Sequence, residues 1–296
     1  MASLKVPKWV QRHLINYSSV DDIPQEVFDR IKKGFDRINA TDEEPFLTIG
    51  MIAWNEEKNI LSNISSLSEL RCSKPFEVLV VNNNSTDRTQ EILDRCGVKS
   101  VMEKQQGYGF ARQAGINIAR GKYFLTGDAD SIYPPTWPDE MLKAVQKEGV
   151  IGAYGMCSFL PNEKRSRTSF AFYEMLKDTI VKARSVNRPE LNVMGMTFCF
   201  ETATAKSIGF PTDNKRGEDG RMAWAMKKHG KLVLVKSRKS RVWTITRTIE
   251  YDGSMINAII VRAKKEISRF SEYLKPQKGD YAERDTIDRR LNGKGN

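Results

Sequence analysis

Tyr123-Phe124-Leu125-Thr126-Gly127-Asp128-Ala129-Asp130-Ser131 is a short apolar run that stops at two carboxylates one residue apart. The run reads as a buried strand, and its acids then stand at the strand's carboxyl end. In an open α/β sheet that end faces the crevice where ligands bind. Two hard oxygen donors at such a rim suit Mg²⁺ or Mn²⁺, which keep several waters and share a few carboxylates with substrate phosphates. The plainer alternative is a solvated turn, because Gly and Asp are ordinary turn residues. The residues on either side decide between the two.

Upstream, Phe46 to Trp54 reads as a first strand, followed by Asn55-Glu56-Glu57 and a helical spacing through Ile60, Ile64 and Leu67. Asn55 is a good N-cap there, with Glu56 and Glu57 in the first turn. Glu77-Val78-Leu79-Val80-Val81 has the continuous β-branched character of a central parallel strand. It opens into Asn82-Asn83-Asn84-Ser85-Thr86-Asp87, where Ser85 or Thr86 is placed to cap a helix from Thr89 to Cys96. Two successive strand-loop-helix units predict a parallel sheet. Gly107-x-Gly109 is no dinucleotide fingerprint, since Arg112 stands where the third glycine must allow close helix packing. A helix over 110–119 follows, carrying Arg112 toward the acidic turn.

At 296 residues and 40% hydrophobic content, the chain can bury a full core. Its first residues lack the apolar stretch of a signal peptide, and no run approaches the roughly 20 apolar residues of a spanning helix. The expectation is a cytoplasmic protein, either free or peripheral on the inner face of the membrane. Cys72, Cys96, Cys157 and Cys199 form no C-x-x-C pair and read as buried free thiols. The net charge is +11, and between Lys215 and Arg247 eleven Lys and Arg stand against only Glu218 and Asp219. Such a segment attracts phosphates, of a nucleotide, a nucleic acid or an anionic lipid surface, unless it is a solvated helix face. Within it the basic stretch from Arg238 to Arg247, with Trp243, is placed to close over a diphosphate.

The two ends carry helical extensions. Pro24 to Ile38 spaces Val27, Phe28, Ile31, Phe35 and Ile38 on one side of a helix. Ser254 to Leu274 does the same with Ile256, Ile259, Ile260, Ala263, Ile267 and Phe270, surrounded by basic residues, which suits either core packing or a membrane surface. The domain reading is 1–44, 45–250 and 251–296.

Taken in order, Ala53-Trp54-Asn55-Glu56-Glu57, Val80 to Asp87, Ala111-Arg112-Gln113-Ala114-Gly115 and Gly127-Asp128-Ala129-Asp130 resemble the successive signatures of family 2 glycosyltransferases of the GT-A fold. Their usual forms are A-Y-N-E-E, V-V-D-D-G-S-T-D, A-R-N-x-G and D-A-D. Each motif is weak alone, but together, in order over residues 46 to 131, they are specific. The likeness continues more loosely from Gly195 to Phe210, and Gly217-Glu218-Asp219 is similar to the family's acceptor-side E-D motif. The resemblance implies a mixed, mainly parallel α/β sheet flanked by helices, a nucleotide-sugar donor, a glycan or lipid-linked acceptor and a divalent metal. It makes Asp130 the metal ligand with Asp128 as partner to metal or ribose, and Arg112 and Arg247 contacts of the ribose or diphosphate. Ala53, Trp54, Glu56, Asn82 and Asn83 frame the nucleoside. Glu218 and Asp219 face the acceptor, with room for only one, Asp219, as the base.

Asn82 and Asn83 replace two aspartates of the usual pattern, and Ile52 stands where proline is common. A carboxamide offers one donor and one acceptor and so matches the edge of uracil, whereas guanine's paired donors suit a carboxylate. Asn83 therefore points to a uridine or thymidine nucleotide. Two rival readings carry less: a nucleotidyltransferase needs a Gly-rich basic loop after the first strand, and a nucleic-acid-binding protein needs more stacking aromatics in the basic segment.

Overall fold

The computed structural model describes residues 3–213 and 217–246. The strands are β1 (Leu47–Ala53), β2 (Phe76–Asn82), β3 (Ser100–Met102), β4 (Tyr123–Asp128), β5 (Ser131–Ile132), β6 (Val150–Tyr154), β7 (Cys157–Phe159), β8 (Phe198–Glu201), β9 (Lys231–Leu234) and β10 (Val242–Thr244). The helices are α1 (Lys8–Gln11), α2 (Gln25–Ile38), α3 (Ile60–Leu67), α4 (Thr89–Arg95), α5 (Tyr108–Ile118), α6 (Trp137–Val145), α7 (Arg167–Asn187), α8 (Thr202–Ile208) and α9 (Glu218–Lys227).

One sheet has the order β3-β2-β1-β4-β8-β6-β9, with β8 antiparallel to both neighbours and the other pairings parallel. This is the mixed, mainly parallel sheet expected from the sequence. β1 and β4 are buried along almost their whole length, as strands covered on both faces must be. Their register pairs Ile52 with Asp128, so the end of the first motif and the start of the acidic pair lie side by side. A small second sheet, β5-β10-β7, leads out of the acidic turn.

Helix α2 forms as its spacing predicts, with Phe28, Ile31, Phe35 and Ile38 buried in the same cluster as Leu47, Ile49 and Ile64. The N-terminal segment thus shares the main core. Val10 of α1 packs with Ile132, Leu160 and Trp243. Helix α7 is seated by a buried ionic network. Arg167 donates to both Glu174 carboxylate oxygens at 2.6 and 2.7 Å, and Ser158 Oγ and the Phe159 N–H donate to the same carboxylate. Arg241 bridges Ser158 and Asp178 at 2.7 Å each. Buried charges persist only when paired in this way.

Several local expectations are corrected. Asn55 does not cap a helix: it sits at φ +51°, and α3 begins at Ile60, with Glu56 to Asn59 forming a preceding turn. Its Oδ1 instead accepts from the Thr86 N–H at 2.8 Å. Nor do Ser85 or Thr86 cap α4, because Asp87 Oδ1 takes the Thr89 N–H at 3.0 Å and the Thr89 hydroxyl at 2.5 Å. The Glu57 N–H donates to Asp87 and the Arg88 N–H donates to Glu57, so the two loops are laced to one another. Short polar side chains that sequence reading assigns to caps are used here for loop-to-loop bonds. Cys96, Cys157 and Cys199 are buried and Cys72 is half-buried, and all four are free thiols. The amphipathic stretch 254–274 lies outside the described residues.

Candidate active site

A cavity of about 720 Å³ opens at the carboxyl ends of β1, β2 and β4. Among its walls are Ala53, Trp54, Glu56, Asn83, Arg112, Asp128, Asp130, Glu218 and Asp219. Five sequence motifs spread over some 165 positions meet there. Asn82 is fully buried behind the wall, and Arg247 lies outside the described residues.

Arg112 is the centre of the arrangement. It is 2% exposed, donates from Nη1 to the Gly127 carbonyl at 2.7 Å and from Nη2 to Asp128 Oδ1 at 2.5 Å, and its Nε lies 3.8 Å from Asp219 Oδ1. It is therefore buried, yet it stands on the cavity wall. The guanidinium is a buried strut between the acid of β4 and the acid of α9. Its fork geometry and permanent charge suit that role. Gly195 passes close by. A Cβ there would fall 2.3 Å from Arg112 Nη2 and 2.6 Å from Asp219 Oδ2, so any side chain at 195 displaces this pair.

Asp219 stands in the first turn of α9 with its side chain 19% exposed. Burial pushes its carboxyl up from the ordinary range to about 7, opposed by Arg112 and reinforced by Glu218 and Asp128. A carboxylate poised near neutrality is suited to take a proton. Both Glu218 and Asp219 border the cavity, which corrects the expectation that adjacent helical positions let only one face it.

The acidic turn is braced by residues that sequence reading missed. Asn63 of α3 donates to the Asp128 carbonyl at 3.1 Å and the Ser131 carbonyl at 2.7 Å. The buried Tyr133 hydroxyl accepts the Asp128 N–H at 2.8 Å. Asp130 takes the Ser131 hydroxyl at 3.2 Å and the Thr244 hydroxyl at 3.5 Å. No local pattern marks Asn63 or Tyr133, which reach the turn through tertiary packing. Among the described residues no three His, Cys, Asp or Glu side chains gather as a metal cage. With Asp128 Oδ1 already held by Arg112, the donor set fits a hard cation that takes one or two carboxylates from the protein and the rest from phosphate and water.

The Asn83 carboxamide does not reach for a base. Its Nδ2 donates to the Gln105 carbonyl at 2.7 Å and the Glu103 carbonyl at 3.3 Å, while Oδ1 accepts the Gly107 N–H at 2.8 Å. Both N–H donors are engaged in holding the 103–107 loop, which overturns the inference of a uridine or thymidine nucleotide from this side chain. Asn82 is likewise engaged, with Gln90 and the Ser85 N–H. What the cavity does offer a planar ligand is Trp54, 45% exposed, and Tyr108, 60% exposed, both on its wall. Tyr108 was missed because it lies between the glycines of a motif read only for phosphate binding.

The basic segment is also dispersed by the fold. Arg221 pairs with Asp213, Lys227 with Glu190 and Arg241 with Asp178, so three of its cations are neutralised away from the cavity. Trp243 is 3% exposed beneath Arg167 and is a core residue, not a lid. Lys215, Arg216 and Arg247 lie outside the described residues.

The sequence model of Glycosyl transferase family 2 matches residues 48–201, just over half of the chain. The chain belongs to this family. An uncharacterized glycosyltransferase of Haemophilus influenzae is 29% identical over 117 residues, covering 38% of this chain and 36% of that protein. Alignments with the curated relatives first in similarity thus span about a third of their length. Among solved structures, a mannosyltransferase of Pyrobaculum calidifontis in complex with GDP-Man and Mn²⁺ aligns with TM-score 0.55 at 17% identity, over 86% of this chain and 74% of that one. S. aureus TarS 1-349 in complex with UDP-GlcNAc aligns with TM-score 0.53 at 20% identity, over 68% of this chain and 58% of that one. Both likenesses are of fold, and with the sheet described above they identify the architecture as GT-A.

Proposed function

We propose that the chain transfers a sugar from a nucleotide-diphosphate donor to an acceptor hydroxyl by direct, inverting displacement, with a divalent cation at Asp130. The observation that carries this is the Arg112 strut, which joins Asp128 of the acidic turn to Asp219 of α9 across one cavity. Donor-side and acceptor-side acids thereby flank one guanidinium, Asp128 by a hydrogen bond and Asp219 by charge, within reach of one bound substrate pair. The neighbours captured with GDP-Man and Mn²⁺ and with UDP-GlcNAc support a sugar-nucleotide ligand.

Trp54 and Tyr108 supply faces for the base, and Ala53 and Glu56 line the wall beside them. Asp130, with the second oxygen of Asp128, would hold the cation. When bound, the cation offsets the charge that develops on the leaving diphosphate. Asp219, with its affinity for a proton near neutrality, accepts the acceptor hydroxyl's proton as that oxygen attacks the anomeric carbon from the opposite side to the departing phosphate. Glu218, at the cavity edge, orients the acceptor. The acceptor class is a glycan or lipid-linked hydroxyl.

Titration calorimetry of UDP and GDP with Mn²⁺ tests the donor site. We expect binding to at least one nucleotide that falls by tenfold or more with chelator or in Asp130→Ala. Equal affinity in all three conditions refutes the role given to Asp130.

A further inference from the structure

Helix α7 carries an apolar face turned to solvent. Phe172 is 56% exposed, Met175 49%, Leu176 41% and Val186 77%, with exposed Thr179 and Ala183 between them. The spacing 172, 176, 179, 183, 186 keeps these side chains on one stripe along the helix. Large apolar side chains grouped this way on a surface mark a docking face, whereas scattered ones need no explanation.

The helix's charges are distributed unevenly about its axis. Both of its acids, Glu174 and Asp178, are buried and paired with Arg167 and Arg241. Its one fully exposed charge is Lys182, seven residues beyond Met175 and so on the same side. The outer face is therefore apolar with a positive charge and no acid, on a chain whose net charge is +11. We propose that α7 is a membrane-docking helix, lying in the plane of an anionic lipid surface with Phe172, Met175, Leu176 and Val186 in the headgroup layer.

Charge and area together favour lipid over a second copy of the chain. A helix of 21 residues is about 31 Å long and about 10 Å wide, a footprint of roughly 300 Å². A stable protein interface needs about 800 Å² on each side. An apolar helix face of this length with a cation beside it, on a chain of net charge +11, binds in the interface, where apolar burial and attraction to anionic lipid add. Among the described residues no helix is long and apolar enough to cross a membrane, so the contact is peripheral.

The opposite edge of the same helix reaches the active-site cavity, where Tyr173 and Lys177 form part of the wall. On the transfer reading, docking through α7 sets the cavity mouth beside the lipid surface and favours an acceptor held in that surface. The docking itself does not depend on that reading.

The test is co-sedimentation of the full chain with vesicles of phosphatidylcholine alone and with added phosphatidylglycerol, in the absence of nucleotide. The wild type should bind the anionic vesicles, less so as salt is raised. The double variant Phe172→Ser/Leu176→Ser should bind at least about tenfold more weakly. Its thermal melting should fall by only a few degrees and its circular dichroism at the assay temperature should match the wild type, because both side chains are already about half exposed in the free protein. The proposal is overturned by a wild type that binds no vesicles, or by a double variant that binds as well as the wild type, which would move the contact to another segment such as 254–274. A dimer of the wild type that the variant loses would also overturn it, giving the face to a second copy. None of these results bears on nucleotide binding, which is measured separately.

Discussion

Replacing Asp219 with asparagine should remove a pH dependence of stability that the wild type carries. The carboxyl titrates near 3.8 when unfolded and at about 7 in the fold, because burial outweighs the attraction of Arg112. Between those values the folded protein holds a proton that the unfolded chain has lost, so stability falls as pH rises through the window and levels off above about 7. A shift of about three units corresponds to roughly 4 kcal/mol across the window. Asp219→Asn carries no titrating group there. The two proteins should match near pH 4 and the variant's margin should grow to its full size by pH 8, while the opposing pH dependence from buried His13, whose pKa is lowered to about 4, is common to both. Urea melts at half-unit intervals from pH 4 to 8, in chelator, measure both curves. Parallel curves would refute the claim that Asp219 is strained by burial. The same carboxylate must be deprotonated to act as base, so transfer by the wild type should rise with pH up to about 7, and the asparagine variant should lose about 10² to 10⁴ in rate while still binding donor.

Two further outcomes follow from the geometry. Gly195→Ala places a methyl group 2.3 Å from Arg112 Nη2, and the buried strut must shift, at a cost of about 1 to 3 kcal/mol; thermal unfolding and kcat should both suffer, and unchanged values would mean that the strut tolerates displacement. Asn83→Asp replaces two donated bonds with repulsion against the Gln105 and Glu103 carbonyls, so hydrogen exchange at Gly107 should accelerate while relative affinity for UDP and GDP stays the same. A change in nucleotide preference without loosening of that loop would return Asn83 to the role of base reader.

Local pattern in the sequence marks the elements from α2 to β4, apart from the short β3, and the acids at the end of β4, but not β6, β8 or the long α7. These are local matters: apolar periodicity of two or 3.6 residues, and a run that ends where carboxylates begin. It also brought the right motifs to one place, since strand ends in a parallel sheet share a rim. What it did not determine is which polar side chains remain available there. Asn55, Asn82 and Asn83 read as cap and base contacts, yet Asn55 and Asn83 are engaged by loops distant in sequence and Asn82 by Gln90 of α4. Arg112 reads as a surface arm and is a buried strut, because Asp219 arrives from more than a hundred residues away to enclose it. Asn63 and Tyr133 carry no signal at all, and they fix the acidic turn only through packing of α3 and the segment after β5. Only the tertiary structure decided these, because a hydrogen bond's partner is set by which chains pass within about 3 Å, and that is a property of packing rather than of neighbouring residues.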